Sequence, residues 1–187
     1  MEFLSYTWLP ILVSAFLVFL VSSVIHMALP WHKKDLKKLA AEDAICAALR
    51  GHNLEPGNYA IPMPESMKDM ATPEMQEKYR QGPVGFLTLI PNGPPPMTKS
   101  LVQWFIYSLI VSLFAAYIAS LGLGRGAEYL MVFRVTGAVA VLGYAFTTYH
   151  ESMWKGLNWA STFRFLADGL IYGMVTAGTF AWLWPSP

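Results

Sequence analysis

Charge is scarce in this chain. Only 13% of its 187 residues are Asp, Glu, Lys or Arg, about half the share carried by an ordinary soluble domain. The charges that exist nearly cancel, leaving a net +1, which excludes the broad basic face of a nucleic-acid binder. There is one cysteine, Cys46, so an internal disulfide and a cysteine-based zinc site are both excluded. Heptads, collagen-type triplets and repeats of 20–50 residues are missing. So are a Walker A loop, a nucleophile elbow and a paired-carboxylate glycosidase signature. Gly122-Leu123-Gly124-Arg125-Gly126 follows no strand and is not a dinucleotide fingerprint. No catalytic residue can be nominated from such a chain.

What is present is apolar length. Hydrophobic residues make up 55% of the chain, gathered in blocks near the roughly 20 residues needed to span a bilayer. Four membrane helices are expected, at about Trp8–Leu29, Ser100–Leu121, Ala127–Tyr149 and Thr162–Trp184. The first could be mistaken for a signal peptide. It lacks a basic leader and an A-x-A cleavage site, so it reads as a retained helix, with Pro10 in its first turn and Pro30 ending it. The expected fold is thus an all-α membrane protein: helix one in 1–30, a cytoplasmic membrane-associated segment in 31–98, and helices two to four in 99–187.

Charge placement sets the threading. Lys33, Lys34, Lys37 and Lys38 crowd the end of helix one, Lys99 precedes helix two, and Lys155 and Arg164 flank the start of helix four. Only Arg125 lies on the opposite side, so the positive-inside rule puts both termini outside. Tyr6, Trp8, Tyr129, Trp182 and Trp184 would form the outer aromatic belt; Trp31, Trp104, Tyr149, Trp154 and Trp159 the inner one. The lysine cluster is a topology determinant and also a surface for anionic lipid, at about 1 kcal/mol per basic residue.

The segment 31–98 has as many acidic as basic side chains. Lys33–Arg50 reads as one amphipathic helix with Leu36, Leu39, Ile45 and Leu49 on a face and Gly51 as its cap. Thr72-Pro73-Glu74 reads as an N-cap, first-turn proline and acidic start of a second helix, stopped at Gly82-Pro83. Val84–Ile90 is expected to pair with Asn58–Pro62 as a small hairpin. Met63, Met67, Met70 and Met75 offer thioethers to Cu(I), or an adaptable apolar face.

Small residues recur every fourth position at Ser108, Ser112 and Ala116 on helix two, and at Gly169, Gly173 and Ala177 on helix four. Such ridges allow close helix approach, within this bundle or against another membrane subunit or a second copy.

The remaining signal is intramembrane charge, which is costly and tends to be functional. Arg134, Arg164, Asp168 and the adjoining Glu151 form the expected polar set. Arg134 lies about 6 Å outward of its helix midpoint and Asp168 about 7–8 Å inward, so they belong to separate layers. Arg164 stands four residues before Asp168, and a local pair between them is the simplest solution. His26 and His150 end helices one and three at the inner face, with His32 and Glu151 close by; the two histidines could bind haem, or with Glu151 a metal ion.

The C-terminal run Trp154-Lys155-Gly156, Asp168-Gly169-Leu170-Ile171-Tyr172-Gly173 and Thr176-Ala177-Gly178-Thr179-Phe180-Ala181-Trp182-Leu183-Trp184-Pro185, with the Pro30-Trp31-His32-Lys33 junction, resembles small four-helix bacterial inner-membrane proteins of uncharacterised role. The resemblance implies a bacterial inner-membrane location and brings no activity. Three functional readings stay open. The leading one is a non-enzymatic accessory, assembly or structural subunit. The second is a small transporter or channel-like protein with its polar cluster around Asp168. The third is a haem- or metal-binding redox protein.

Overall fold

The computed structural model describes residues 2–187. The chain divides into two compact units. The first comprises Met1–Asp35, Pro96–Met153 and Leu157–Pro187; the second comprises Leu36–Pro95 and Trp154–Gly156.

Four long helices build the first unit: α1 (Leu4–Ser23), α4 (Met97–Ser120), α5 (Tyr129–Ala145) and α7 (Trp159–Trp182). They run alternately up and down, and α1 packs on α4, α4 on α5, α5 on α7 and α7 on α1, closing a ring. Among the described residues, three stretches are long and apolar enough to cross a membrane: Leu4–Ala28, Met97–Ser120 and Tyr129–Lys155. The α7 helix, which carries Arg164 and Asp168, matches α4 in length but lies outside that set.

One end of the bundle is tied together where the terminal residues meet the turn between α4 and α5. Gly126 N–H donates to Pro185 O at 2.7 Å, Trp184 Nε1 donates to Gly124 O at 3.0 Å, and Arg125 lies over the Tyr6 ring. Just inside this end the core is apolar, built from Ile11, Ala115, Ala116, Val132, Phe180 and Ala181. The second core layer, nearer the other end, is more aromatic and polar: Val18, Ile25, Val111 and Ala140 pack with Tyr144 and Tyr172.

The small residues face inward. Ser108, Ser112 and Ala116 are fully buried on α4, and Ser14 Oγ of α1 donates to Ser112 Oγ at 2.9 Å. On α7, Ala177 opposes Gly137 of α5, Gly173 opposes Val141, and Gly169 lies against the backbone of Ala145. The stripe is thus used within the bundle, where missing side chains let α5 and α7 backbones approach.

Several helix limits differ from expectation. The α1 helix starts at Leu4, which moves Pro10 out of the first turn into the helix interior, where it removes a backbone donor. The third helix does not run unbroken to Tyr149. It stops at Ala145, and α6 (Tyr149–Lys155) follows a three-residue break. Thr147 Oγ1 donates to Tyr144 O there, the local side-chain-to-backbone bonding by which threonine competes with helix. Asn158 caps α7 by accepting from Ala160 N–H.

In the second unit, α2 covers only Glu42–Gly51, so the expected helix from Lys33 is shortened by nine residues' worth of turn and coil. Lys33/Lys37 and Lys34/Lys38 are like-charged i,i+4 pairs, which oppose a helix. The acidic pair Glu42 and Asp43 suits the first turn where α2 does begin. Helix α3 (Pro73–Gln81) is capped by Thr72, whose hydroxyl accepts from Met75 N–H, and Gly82 follows it. Strands β1 (Gly57–Ile61) and β2 (Gly85–Leu89) pair antiparallel, Gly57 opposite Leu89 and Ile61 opposite Gly85.

Candidate functional site

The site is made by a reversal of chain at the end of α1. The helix loosens into a π turn, Val24–Ala28, closed by Leu29 N–H donating to Val24 O. Wide turns of this kind re-aim side chains and are frequent at functional sites. Leu29 is extended, as a residue preceding proline tends to be. Pro30–His32 then makes one tight turn, and Lys33 and Asp35 N–H groups donate to Pro30 O and His32 O. The reversal folds His32 back over His26, so their rings stack 4.3 Å apart at 21°.

His32 joins two carboxylates. Its Nδ1 lies 2.5 Å from Asp35 Oδ2 and its Nε2 lies 2.8 Å from Asp168 Oδ2. A neutral imidazole has one N–H, so both contacts are satisfied only if the ring carries two protons or one carboxyl is protonated. Asp35 Oδ1 accepts from Arg164 Nε at 2.8 Å and from Arg164 Nη2, which also donates to Ser161 Oγ at 3.2 Å. Burial pushes the Asp35 carboxyl up, but the hydrogen bonds from Arg164 and His32 together outweigh it and hold Asp35 below the usual carboxylate range. His26 Nε2 approaches the same Asp168 oxygen at 3.8 Å.

The expected Arg164–Asp168 pair is therefore replaced by Arg164–Asp35 and His32–Asp168. Arg164 and Asp168 share a helix face, yet one turn of α7 separates them by about 6 Å along the axis. The long guanidinium reaches Asp35, while the short Asp168 side chain points into the bundle and is 2% exposed. The structure links these two through Asp35 and His32 and leaves the other expected members elsewhere. Arg134 is exposed on α5, opposite the face carrying buried Val132, Thr136 and Ala140. His150 and Glu151 belong to α6 and fall outside the group of atoms that, among the described residues, is placed to hold a metal ion: His26, His32 and Asp168. Asp35 is the site member that sequence reasoning missed, and His32 was placed near the inner-face histidines without a role. The Pro30 break permits the chain's return without specifying it.

A cavity of about 650 Å³ opens beside the cluster. Trp104, Leu101, Met27, Met97 and Phe165 supply apolar walls, and His26, Asp168, Tyr144, Tyr172 and Thr148 supply the polar ones. Trp104 is fixed by donating to Ser22 Oγ at 2.8 Å, and it packs edge-on to Tyr172. Tyr107 donates to Gly143 O at 2.5 Å. Among the described residues, three buried side-chain polar atoms have no hydrogen-bond partner: Thr148 Oγ1, Asp168 Oδ1 and Tyr172 Oη. All three belong to residues lining this cavity.

No protein-family model matches the chain, and no curated protein or solved structure matches it either.

Proposed function

We propose that the chain is a multi-pass protein of the bacterial inner membrane that crosses four times with both termini outside. In this reading it is an accessory protein that holds a small amphiphile in the inner half of its bundle. The three apolar spans support the membrane setting, and α7 completes the bundle they form. The lysine distribution supports the orientation. Exposed Lys33, Lys34, Lys37 and Lys38 suit contact with anionic lipid at the inner face.

The observation that carries the binding reading is that the three residues with an unpartnered buried polar atom all line one cavity. Buried polar atoms are nearly always hydrogen-bonded, so three exceptions at one place ask for an occupant. The volume is within the range of about 300–1,000 Å³ usual for ligand pockets, and mostly apolar walls with a few convergent polar groups are their usual lining. An amphiphile fits: apolar body against Trp104 and Leu101, polar head toward Asp168 and Tyr172. A conduit has less support, because the other half of the bundle is filled by Ile11, Ala115, Ala116, Val132 and Phe180.

Native mass spectrometry of protein purified in mild detergent is the test. Wild type is expected to retain a small-molecule adduct through collisional removal of the micelle. Thr148→Trp, which puts a bulky ring into the cavity wall, is expected to lose it. Equal adducts on both proteins would reject the binding reading.

A further inference from the structure

The cluster at the cavity wall has the composition and the supporting hydrogen bonds of a metal centre. We propose that His26, His32 and Asp168 bind one divalent first-row transition ion, with an open coordination position facing the cavity. This deepens the binding reading: the polar head of the cavity's ligand would be a group with a metal-ligating oxygen, such as a carboxylate, phosphate, carbonyl or hydroxyl.

The ligating atoms come first. One ring nitrogen from each histidine and one Asp168 oxygen all lie within 4.8 Å of one another. Adjacent ligands around a tetrahedral ion at about 2.0–2.1 Å stand about 3.3 Å apart. His32 Nε2 and Asp168 Oδ2, at 2.8 Å, need to open slightly; His26 Nε2 and Asp168 Oδ2, at 3.8 Å, need to close by a similar amount. The ion thus enters where the His32–Asp168 hydrogen bond now runs, and the shared proton leaves to solvent.

The surroundings are the second, independent observation. A ligating histidine usually gives its other ring N–H to a carboxylate, which fixes the tautomer and aims the free nitrogen at the metal. His32 has this arrangement: Nδ1 on Asp35, Nε2 toward Asp168. Asp35 is itself held by Arg164, and Arg164 by Ser161. Asp168 Oδ1 is buried and has no hydrogen-bond partner, so no existing bond holds the carboxylate against the small shift that ligation requires. Two imidazoles and one carboxylate suit Zn²⁺, and also Fe²⁺ in a three-residue facial set. Three protein ligands leave a position vacant, as reactive sites do and closed structural sites do not.

The test uses the full chain, purified through a tag free of histidine, stripped of metal, and titrated without added amphiphile. Zn²⁺ competition against a chromophoric chelator is expected to give one equivalent per chain, and Co²⁺ is expected to give the visible bands of a low-coordinate nitrogen–oxygen site. An anaerobic Fe²⁺ titration separates the two candidate ions. His26→Ala and Asp168→Asn are expected to abolish stoichiometric binding. Asp35→Asn should weaken it about 10–100-fold. His52→Ala and His150→Ala should leave it unchanged. The His26 side chain is 41% exposed, so His26→Ala keeps the test valid even if Asp168→Asn misfolds. Absence of a stoichiometric site in wild type, or binding indifferent to His26→Ala, would overturn the metal site. The native-mass adduct is scored separately, so amphiphile binding stands or falls on its own.

Discussion

Replacing Gly169 with alanine is expected to destabilise the bundle by about 3 kcal/mol or more, at the upper end of overpacking costs. A Cβ at Gly169 would lie 2.3 Å from Ala145 Cα and 2.5 Å from Ala145 N. These are backbone atoms, which no rotamer change can move aside. The helices must separate, and with them the α5–α7 interface that closes the ring. Gly173→Ala should cost less, since its closest obstruction is Cγ2 of the Val141 side chain at 2.4 Å, although Val141 N also lies at 3.1 Å. Gly178, on the same helix, meets nothing within 4 Å. Gly178→Ala should therefore be neutral or stabilising by up to about 1 kcal/mol through helix propensity alone. Unfolding in mixed non-ionic and SDS micelles measures all three. Equal effects at 169 and 178 would show that close approach is not what Gly169 provides.

The helices of this chain were legible because their signals are local. Apolar length marked α1, α4 and α5, the Thr72-Pro73-Glu74 cap marked α3, and turn residues bracketed the two strands. The site was legible only in part, and for a physical reason. Periodicity predicts which residues share a helix face, so Arg164 and Asp168 were paired by spacing. It does not predict where a chain returns after a proline, and that return decides every partner here. His32 reaches Asp168 across 136 positions, and Arg164 reaches Asp35 across 129. Asp35 stood among four lysines, where its charge looked like part of a solvated run. His26 stood out as a histidine at the inner end of a span, but so did His150, and only tertiary packing separates them.

The Arg164–Asp35 contact carries the second large effect. Arg164→Gln is expected to cost about 3 kcal/mol, because it leaves Asp35 as a part-buried carboxylate without its cation. The pair is well shielded, with side chains 23% and 12% exposed, so solvent screening removes little of this. Asp35→Asn should be damaging too, since it strands the guanidinium and loosens His32. The double variant Arg164→Gln/Asp35→Asn should be less destabilised than the sum of the singles, with a coupling of about 1–3 kcal/mol. A matching cycle on Arg164 and Asp168 should show a smaller coupling, since those side chains meet only through Asp35 and His32. Reversal of that order would restore the i,i+4 pairing that α7 spacing suggests. The pH dependence has a definite sign. The folded state holds the Asp35 carboxyl below its ordinary value. Its contribution is therefore complete at neutral pH, begins to fall near the ordinary carboxylate value of about 3.9, and is gone once pH has fallen through the depressed one. Asp35→Asn should flatten the stability curve in that acid range and leave its neutral limb parallel to wild type.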